Sequence, residues 1–289
     1  MSFTDQTIWI TGASSGIGAA LAREWASHGA KTILSGRDEG RLSEVADALD
    51  TETLILPFDV RDDAAMHSAT KKAIAWTGNV DVFVANAGVS QRSQALKTDM
   101  QVYRDIIDID LTAQIAATQA LLPHMAERGS GKLVFISSIA GKVGVPMRTA
   151  YCAAKFGLIG YADALRGELS NKGVDVHVIA PGSVATNVSR NALSADGTKR
   201  GRSDEVIDNG IPPEEAAKSM VDAIAAGQHH RPLFTRFTQV GETEHQSLDP
   251  RVPQCVVRQR HGLSPFRMLS PCRILSDPEI LGWSETCGK

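Results

Sequence analysis

Apolar residues along the chain fall into short blocks separated by helix-length amphipathic stretches. Thr7–Ile10, Lys31–Ser35, Thr53–Leu56, Val80–Ala85, Lys132–Ser137 and Val174–Ala180 read as strands. Between them, Gly16–His28, Glu39–Leu49, Asp62–Trp76, Thr149–Ser170 and a long stretch from Met100 to Arg128 read as helices. A further helix, Pro213–Ala226, is opened by two prolines. The blocks Asp81–Ala85 and Lys132–Ser137 show no polar alternation, as expected of strands covered on both faces. Strand and helix in strict alternation predict an α/β fold: a doubly wound parallel sheet in one domain.

The pattern breaks near residue 228. Residues 1–228 hold 36 Ala and residues 229–289 hold none, whereas six of the 12 Pro and three of the four Cys lie in that last stretch. No amphipathic period survives there. Residues 1–228 are therefore read as the folded domain, and 229–289 as an irregular, Pro/Arg-rich tail. The tail is either an extension that packs on the body or a partner, or sequence read out of frame. The whole chain has a net charge of −3, with 43% hydrophobic and 22% charged residues. That balance fits a globular protein and gives no basic field for nucleic acid. Four Cys make no disulfide framework. No apolar run is long enough for a transmembrane helix, and no signal peptide leads the chain. A cytoplasmic protein without an integral membrane segment is the expectation.

Candidate chemistry begins at the turn Thr11-Gly12-Ala13-Ser14-Ser15-Gly16-Ile17-Gly18, between the first strand and the first helix. Glycines there allow a tight turn and let the backbone approach a phosphate, which the N-terminus of the following helix attracts. Taken alone, the loop could equally be an ordinary Gly/Ser turn; its place after the first strand of an alternating chain favours a nucleotide. The second strand ends in Ser35-Gly36-Arg37-Asp38. An acid at the position of Gly36 would read a ribose hydroxyl. Here a guanidinium follows instead, suited to a 2′-phosphate. NADP(H) is expected in preference to NAD(H), with Asp38 as a ribose acid the alternative.

Tyr151 and Lys155 stand four residues apart on one helix face. A free phenol ionises near pH ~10, so bringing it to neutrality requires ~4 kcal/mol of stabilisation. A neighbouring ammonium is the available stabiliser. Ser138 ends the fifth strand, at the edge where open parallel sheets bind ligands. Its hydroxyl can bond a substrate oxygen as charge develops. Each feature alone has a bland reading, as a surface helical pair or a strand-end turn; their order after a glycine loop is far more specific.

With these motifs, and with Asp59-Val60, Asn86-Ala87-Gly88, Ile136-Ser137-Ser138 and Pro181-Gly182 with Thr186, the sequence resembles the short-chain dehydrogenase/reductase family over about residues 5–227. The resemblance implies a seven-stranded parallel Rossmann-like sheet and an NAD(P)-dependent oxidoreductase acting on a small carbonyl or alcohol. It implies Tyr151 as general acid/base, Ser138 as the group positioning the substrate oxygen, and Lys155 as partner of the phenol and of the nicotinamide ribose. The glycine loop (Gly12, Ser14, Ser15, Gly16, Ile17, Gly18) would hold phosphate. Asp59 and Val60 would meet the adenine, Asn86, Ala87 and Gly88 would lie beside the cofactor, and Pro181, Gly182 and Thr186 would hold the carboxamide. A homodimer or homotetramer is the assembly implied.

Two departures from the family pattern stand out. Asp110 occupies the position where many members carry an Asn of the catalytic group. A carboxylate there would oppose phenolate formation and could bind Lys155 instead, or serve only through its backbone carbonyl. The β-branched seventh strand is missing, so that only Leu233–Val240 could pair at the sheet edge. The rival reading is a non-catalytic protein of the same fold that binds NADP or a partner. His229-His230 lacks a third ligand at metal spacing, and no metal is expected. Cys152 reads as a packing residue. Asn187–Gly210 reads as a substrate lid or a plain loop, facing pocket walls at Val89–Leu96 and Lys142–Arg148.

Overall fold

In the computed structural model, residues 3–233 are described. Seven strands form one sheet: β1 (Thr7–Thr11), β2 (Lys31–Gly36), β3 (Thr53–Pro57), β4 (Val82–Ala85), β5 (Gly131–Ile136), β6 (Val174–Pro181) and β7 (His230–Leu233). Their order is β3-β2-β1-β4-β5-β6-β7, and every pairing is parallel. All C-terminal strand ends therefore lie along one edge of the sheet. The order reverses between β1 and β4, where open α/β sheets form their ligand crevice.

The uninterrupted apolar strands are explained by two cores, one on each face. Ile8, Ile10, Leu34, Val82, Val84, Val134 and Ile136 pack against helices α1 (Gly16–Ser27) and α7 (Pro213–Ala225). Trp9, Ile33, Phe83, Leu133 and Phe135, at the alternate positions, pack against α3 (Asp63–Thr77), α5 (Ala113–Arg128) and α6 (Thr149–Glu168). The strict period of two sends neighbouring side chains to opposite faces, so a buried polar side chain in these strands needs a partner within the fold. The buried hydroxyl of Ser35 accepts a 2.8 Å bond from the Trp9 indole N–H, and that of Thr32 shares a 2.9 Å bond with Thr53.

Two expectations change. The helix read as continuous from Met100 to Arg128 is α4 (Met100–Ile107) joined to α5 by a π-helical turn over Asp108–Thr112. Such a turn adds a residue without breaking the helix, so the apolar period barely registers it. The seventh strand is present, and it is His230–Leu233 rather than Leu233–Val240. It was missed because His-Arg-Pro-Leu is not β-branched. An edge strand pairs along one side only and tolerates the missing N–H of Pro232. The folded sheet thus runs past residue 228. The remainder of the irregular tail, from residue 234, lies outside the described residues. Among the described residues no helix is long and apolar enough to cross a membrane.

The edge strand is anchored through His177 of β6. Its ring is fully buried, Nδ1 donates to the Gln228 carbonyl at 2.9 Å, and the His229 ring lies 5.1 Å away. Burial pushes this imidazole below the usual histidine range, outweighing the raising effect of the Gln228 carbonyl. The unfolded chain therefore takes up a proton that the folded one resists. The stability is fully present above the unfolded value of ~6.5 and is lost as the pH falls below it. The thermal midpoint should drop between about pH 7.5 and 5.5, and His177→Gln should flatten that slope. Equal slopes in the two proteins would remove His177 as the cause.

Candidate active site

The crevice between β1 and β4 is built by glycines that admit close backbone packing. Thr11 Oγ1 accepts from the backbone N–H groups of Asn86 and Ala87 at 3.0 and 3.2 Å. Asn86 Nδ2 donates to the carbonyls of Thr11 and Gly12 at 2.9 and 3.3 Å. A Cβ on Gly18 would sit 2.3 Å from the Gly12 oxygen and 2.6 Å from Asn86 Nδ2, so no side chain fits there. Gly12 has φ +65°, and a Cβ on it would lie 2.8 Å from Ala87 Cα. Asn86-Ala87-Gly88 and the glycine loop are therefore one packed unit, and the Asn86 amide holds the loop rather than projecting from it.

Helix α1 starts at Gly16 with no side-chain cap and no acidic residue in its first turn. By contrast, α2 (Glu39–Ala46) and α3 are capped by the carboxylates of Asp38 and Asp62 and carry an acid in the first turn. The α1 N-terminus alone of these three presents uncompensated positive dipole, which fits a phosphate. Ser14 packs against Gly36 at the end of β2, since a Cβ there would lie 3.6 Å from its Oγ. A Cβ on Gly16 would lie 3.2 Å from Thr186 Cγ2, so the segment that follows Pro181, the last residue of β6, meets the loop through Thr186. Arg37 follows β2 and is exposed, whereas Asp38 is occupied by the Arg41 backbone N–H at 3.1 Å. Asp59 accepts from the Arg61 guanidinium at 2.7 Å, and that bond, foremost, holds its carboxyl below the usual range against the effect of burial. Val60 packs into the core beside it. The chain thus offers an uncapped helix end, a glycine cradle and a basic group where a dinucleotide's phosphates would lie.

The second part of the site is set by the π turn. Asp110 lies within it and is 0% exposed. One carboxylate oxygen accepts from the Val89 N–H at 2.7 Å, and the other lies 3.2 Å from Lys155 Nζ. Lys155, 4% exposed, also donates to the Ile136 carbonyl at 3.1 Å, and its ammonium stands 5.6 Å from the centre of the Tyr151 ring. Desolvation opposes the charge on Lys155, but the Asp110 carboxylate, and after it Tyr151, turn the balance and hold the ammonium charged. Burial pushes Asp110 up, against the pull of Lys155 and the Val89 N–H. The carboxylate thus binds the lysine, and it is not reduced to a backbone role. Gln114 Nε2 donates to the Ala87 and Ile109 carbonyls, tying α5 and the π turn to the crevice.

Ser138 caps the short turn Ile139–Gly141, accepting from the Ala140 N–H at 3.2 Å. That turn is pressed onto α6: Ser137 Oγ donates to the Lys155 carbonyl at 3.1 Å, and a Cβ on Gly141 would fall 2.7 Å from the same oxygen. Ser138 is thereby held beside the turn of helix that carries Tyr151 and Lys155. Cys152 is buried and contacts the Val145 backbone, as a packing residue would. Among the described residues no group of three or more His, Cys, Asp or Glu could hold a metal.

Sequence reasoning missed Gln91. It is fully buried, its Oε1 accepts from the Ala150 N–H at 2.8 Å, and its Nε2 donates to Ser93 Oγ at 3.1 Å. It supplies from the β4 loop the cap that α6 lacks locally, one residue before Tyr151. No sequence signal marks it, because the acceptor and the helix end lie far apart in the chain. The Asn187–Gly210 segment is bound to that same loop, through Leu193 N–H to Ser90 O and Arg92 N–H to Leu193 O.

A short chain dehydrogenase family model matches residues 6–197. Dehydrogenase/reductase SDR family member 7B of Danio rerio is 39% identical over 229 residues, 76% of this chain and 74% of that protein. Dehydrogenase/reductase SDR family member 7 of Homo sapiens is 38% identical over 68% of this chain and 60% of its own length. A short-chain dehydrogenase structure from Streptomyces avermitilis superposes with a TM-score of 0.74 at 27% identity, covering 85% of this chain and 94% of its own. A serine dehydrogenase complexed with NADP+ gives 0.72 at 27% identity, with 79% and 93% covered. A glycine-bound crevice at the sheet's switch point, a strand-end serine and a Tyr-x-x-x-Lys helix, together with these matches over most of the chain, make it a member of the short-chain dehydrogenase/reductase family of NAD(P)-dependent oxidoreductases.

Proposed function

We propose that this protein interconverts a carbonyl and an alcohol with NADP(H), using Tyr151 as general acid/base. The observation that carries this reading is the buried Lys155 ammonium, fixed 5.6 Å from the Tyr151 ring and held charged by Asp110. Replacing a buried ion pair by well-packed apolar residues often costs a fold nothing, so a buried cation points to a use for its charge. It stabilises negative charge nearby, and beside Asp110 the group placed to acquire one is the Tyr151 phenol. A bound nicotinamide supplies a hydride to the carbonyl carbon or takes one from the alcohol carbon. Tyr151 gives its proton to the substrate oxygen in reduction and recovers it in oxidation. The Ser138 hydroxyl donates to that same oxygen, where charge develops. Gln91 and the core around Val102, Ile106 and Ala154 keep the first turn of α6 in place, so the phenol is preorganised.

The glycine loop Gly12–Gly18 and the N-terminus of α1 would hold the pyrophosphate. Arg37 would pair with the 2′-phosphate, supported by the engagement of Asp38 as a helix cap and ion-pair partner of Arg41. Asp59 and Val60 would flank the adenine, with the Asp59 carboxylate shared with Arg61. Asn86, Ala87 and Gly88 would line the middle of the cofactor. Lys155 would also meet the nicotinamide ribose, and Pro181, Gly182 and Thr186 the carboxamide. Asp110 is a positioning residue, which acts through Lys155.

The direct test is NADPH consumption with a panel of ketones and aldehydes. Tyr151→Phe should lower kcat more than about 100-fold while NADPH still binds; retained turnover would remove the phenol from the mechanism. Arg37→Ala should reduce the ratio of NADPH to NADH efficiency about tenfold, the loss of one charge-assisted phosphate contact. An unchanged ratio would assign the preference elsewhere. Asp110→Asn keeps an acceptor for the Val89 N–H and removes the competing charge, leaving the ammonium to act on the phenolate. The acidic limb of the pH–rate profile for alcohol oxidation should then move to lower pH with activity retained. An unmoved limb would show that the carboxylate is not coupled to the proton transfer.

A further inference from the structure

Three arginines from three separate segments converge on one carboxylate beside the N-terminus of α6. Arg92 follows β4, Arg148 is the N-cap residue of α6, and Arg200 belongs to the segment after β6. Asp204 Oδ1 lies 2.7 Å from Arg200 Nη2, and its Oδ2 lies 3.4 Å from Arg148 Nη2 and 3.5 Å from Arg92 Nε. Ser189 Oγ donates to Asp204 Oδ2 at 3.0 Å and accepts from Arg200 Nη1 at 2.9 Å. The arginines are largely withdrawn from solvent, between 13% and 29% exposed. Burial presses Arg92 below the usual guanidinium range; the Asp204 carboxylate opposes this, and the repulsion of Arg148 and Arg200 adds to it.

One acid against three guanidiniums leaves an excess of two positive charges in a partly dehydrated setting. Joining the segments would need a single ion pair, and two further like charges work against that joint. Two buried polar atoms at the cluster, Arg148 Nε and Ser203 Oγ, carry no hydrogen bond. The α6 N-terminus, capped by the neutral Gln91 amide and with no acid in its first turn, adds its dipole to the same field. Arg148 is the N-cap residue directly before the first turn of α6, the turn that carries Tyr151. Val89 and Leu193, from two of the same segments, pack with Tyr151 against the small core of Val102, Ile106, Ala150 and Ala154.

We propose that Arg92, Arg148 and Arg200 form an oxyanion-binding subsite, and that the substrate is a carbonyl compound bearing a carboxylate or phosphate a few bonds from its carbonyl. Asp204 occupies the subsite as an internal counter-ion and yields part of it to the ligand. Planar guanidiniums from separate segments offer the paired N–H groups that carboxylate and phosphate oxygens require. Substrate binding would thus draw the segment that carries Arg200 and Asp204 onto the segments that carry Arg92 and Arg148. The inference rests on the proposed reductase reading for its substrate, but the subsite can be tested by binding alone.

The test compares levulinate with methyl levulinate, and a γ-keto alkyl phosphate with its parent alcohol, on the NADP-loaded full chain. Calorimetric affinity and kcat/KM are measured for each. The charged member of at least one pair should be favoured tenfold or more, and the pair that shows it identifies the anion. In Arg92→Met and Arg200→Met that charged-to-neutral ratio should fall at least tenfold. Asp204→Asn, which keeps the shape and removes the competing charge, should raise affinity for the charged member. An adventitious joint between segments would instead show no preference in the wild type, equal losses for both members in the arginine variants, and no gain in Asp204→Asn; any of these overturns the subsite. Tight binding of the charged member without turnover would uphold the subsite and count against the reductase reading. Turnover of neutral ketones without preference would do the reverse.

Discussion

The buried pair between Asp110 and Lys155 is the constraint around which the rest of the site is arranged. An ammonium withdrawn from water persists only where a counter-charge and an acceptor meet it. Asp110 and the Ile136 carbonyl do so, from the π turn and from the end of β5. Asp110 in turn requires the Val89 N–H, so the loop after β4 is bound into the same unit. The π turn makes this possible, because its extra residue rotates Asp110 inward from a helix that is otherwise amphipathic. Gly88 belongs to the same arrangement: a Cβ there would lie 2.9 Å from Asp110 Oδ2. Four segments distant in the chain therefore share one charge pair, and the phenol of Tyr151 faces its positive end.

This arrangement differs in character from the crevice that it adjoins. Around β1 and β4 the structure works by omission: glycines without side chains, a helix without a cap and a loop held by the amide of Asn86. Positive potential there comes from backbone N–H groups and needs no ionised side chain. Around α6 it works by full charges held in low dielectric, by Lys155 on one side and by the arginines around Asp204 on the other. The phosphate proposed for the first and the oxyanion proposed for the second would be met by different physics, backbone dipoles in one place and ionised side chains in the other.

Much of this was legible in the sequence because it depends on local periodicity. Uninterrupted apolar strands marked a sheet covered on both faces, and Tyr151 and Lys155 announced themselves by a spacing that only a helix converts into proximity. The departure at Asp110 was visible, as was the choice between binding Lys155 and acting through its backbone; which of them holds was not. Gln91 and Asp204 gave no sign. Each acts on groups brought near only by folding: Gln91 on a helix end 59 residues away, and Asp204 on arginines from two other segments. The edge strand β7 escaped because backbone pairing, not side-chain character, makes it a strand.

The sequence by itself determined the alternation of strand and helix, the glycine turn and the order of the chemical groups, since these follow from steric preference and period within a few residues. Tertiary structure alone decided that Asp110 neutralises Lys155, that Asn86 braces the glycine loop, and that three arginines share a single acid. Charge pairing and burial are properties of distance through space, and distance through space is set only when the sheet has brought its strand ends to one edge.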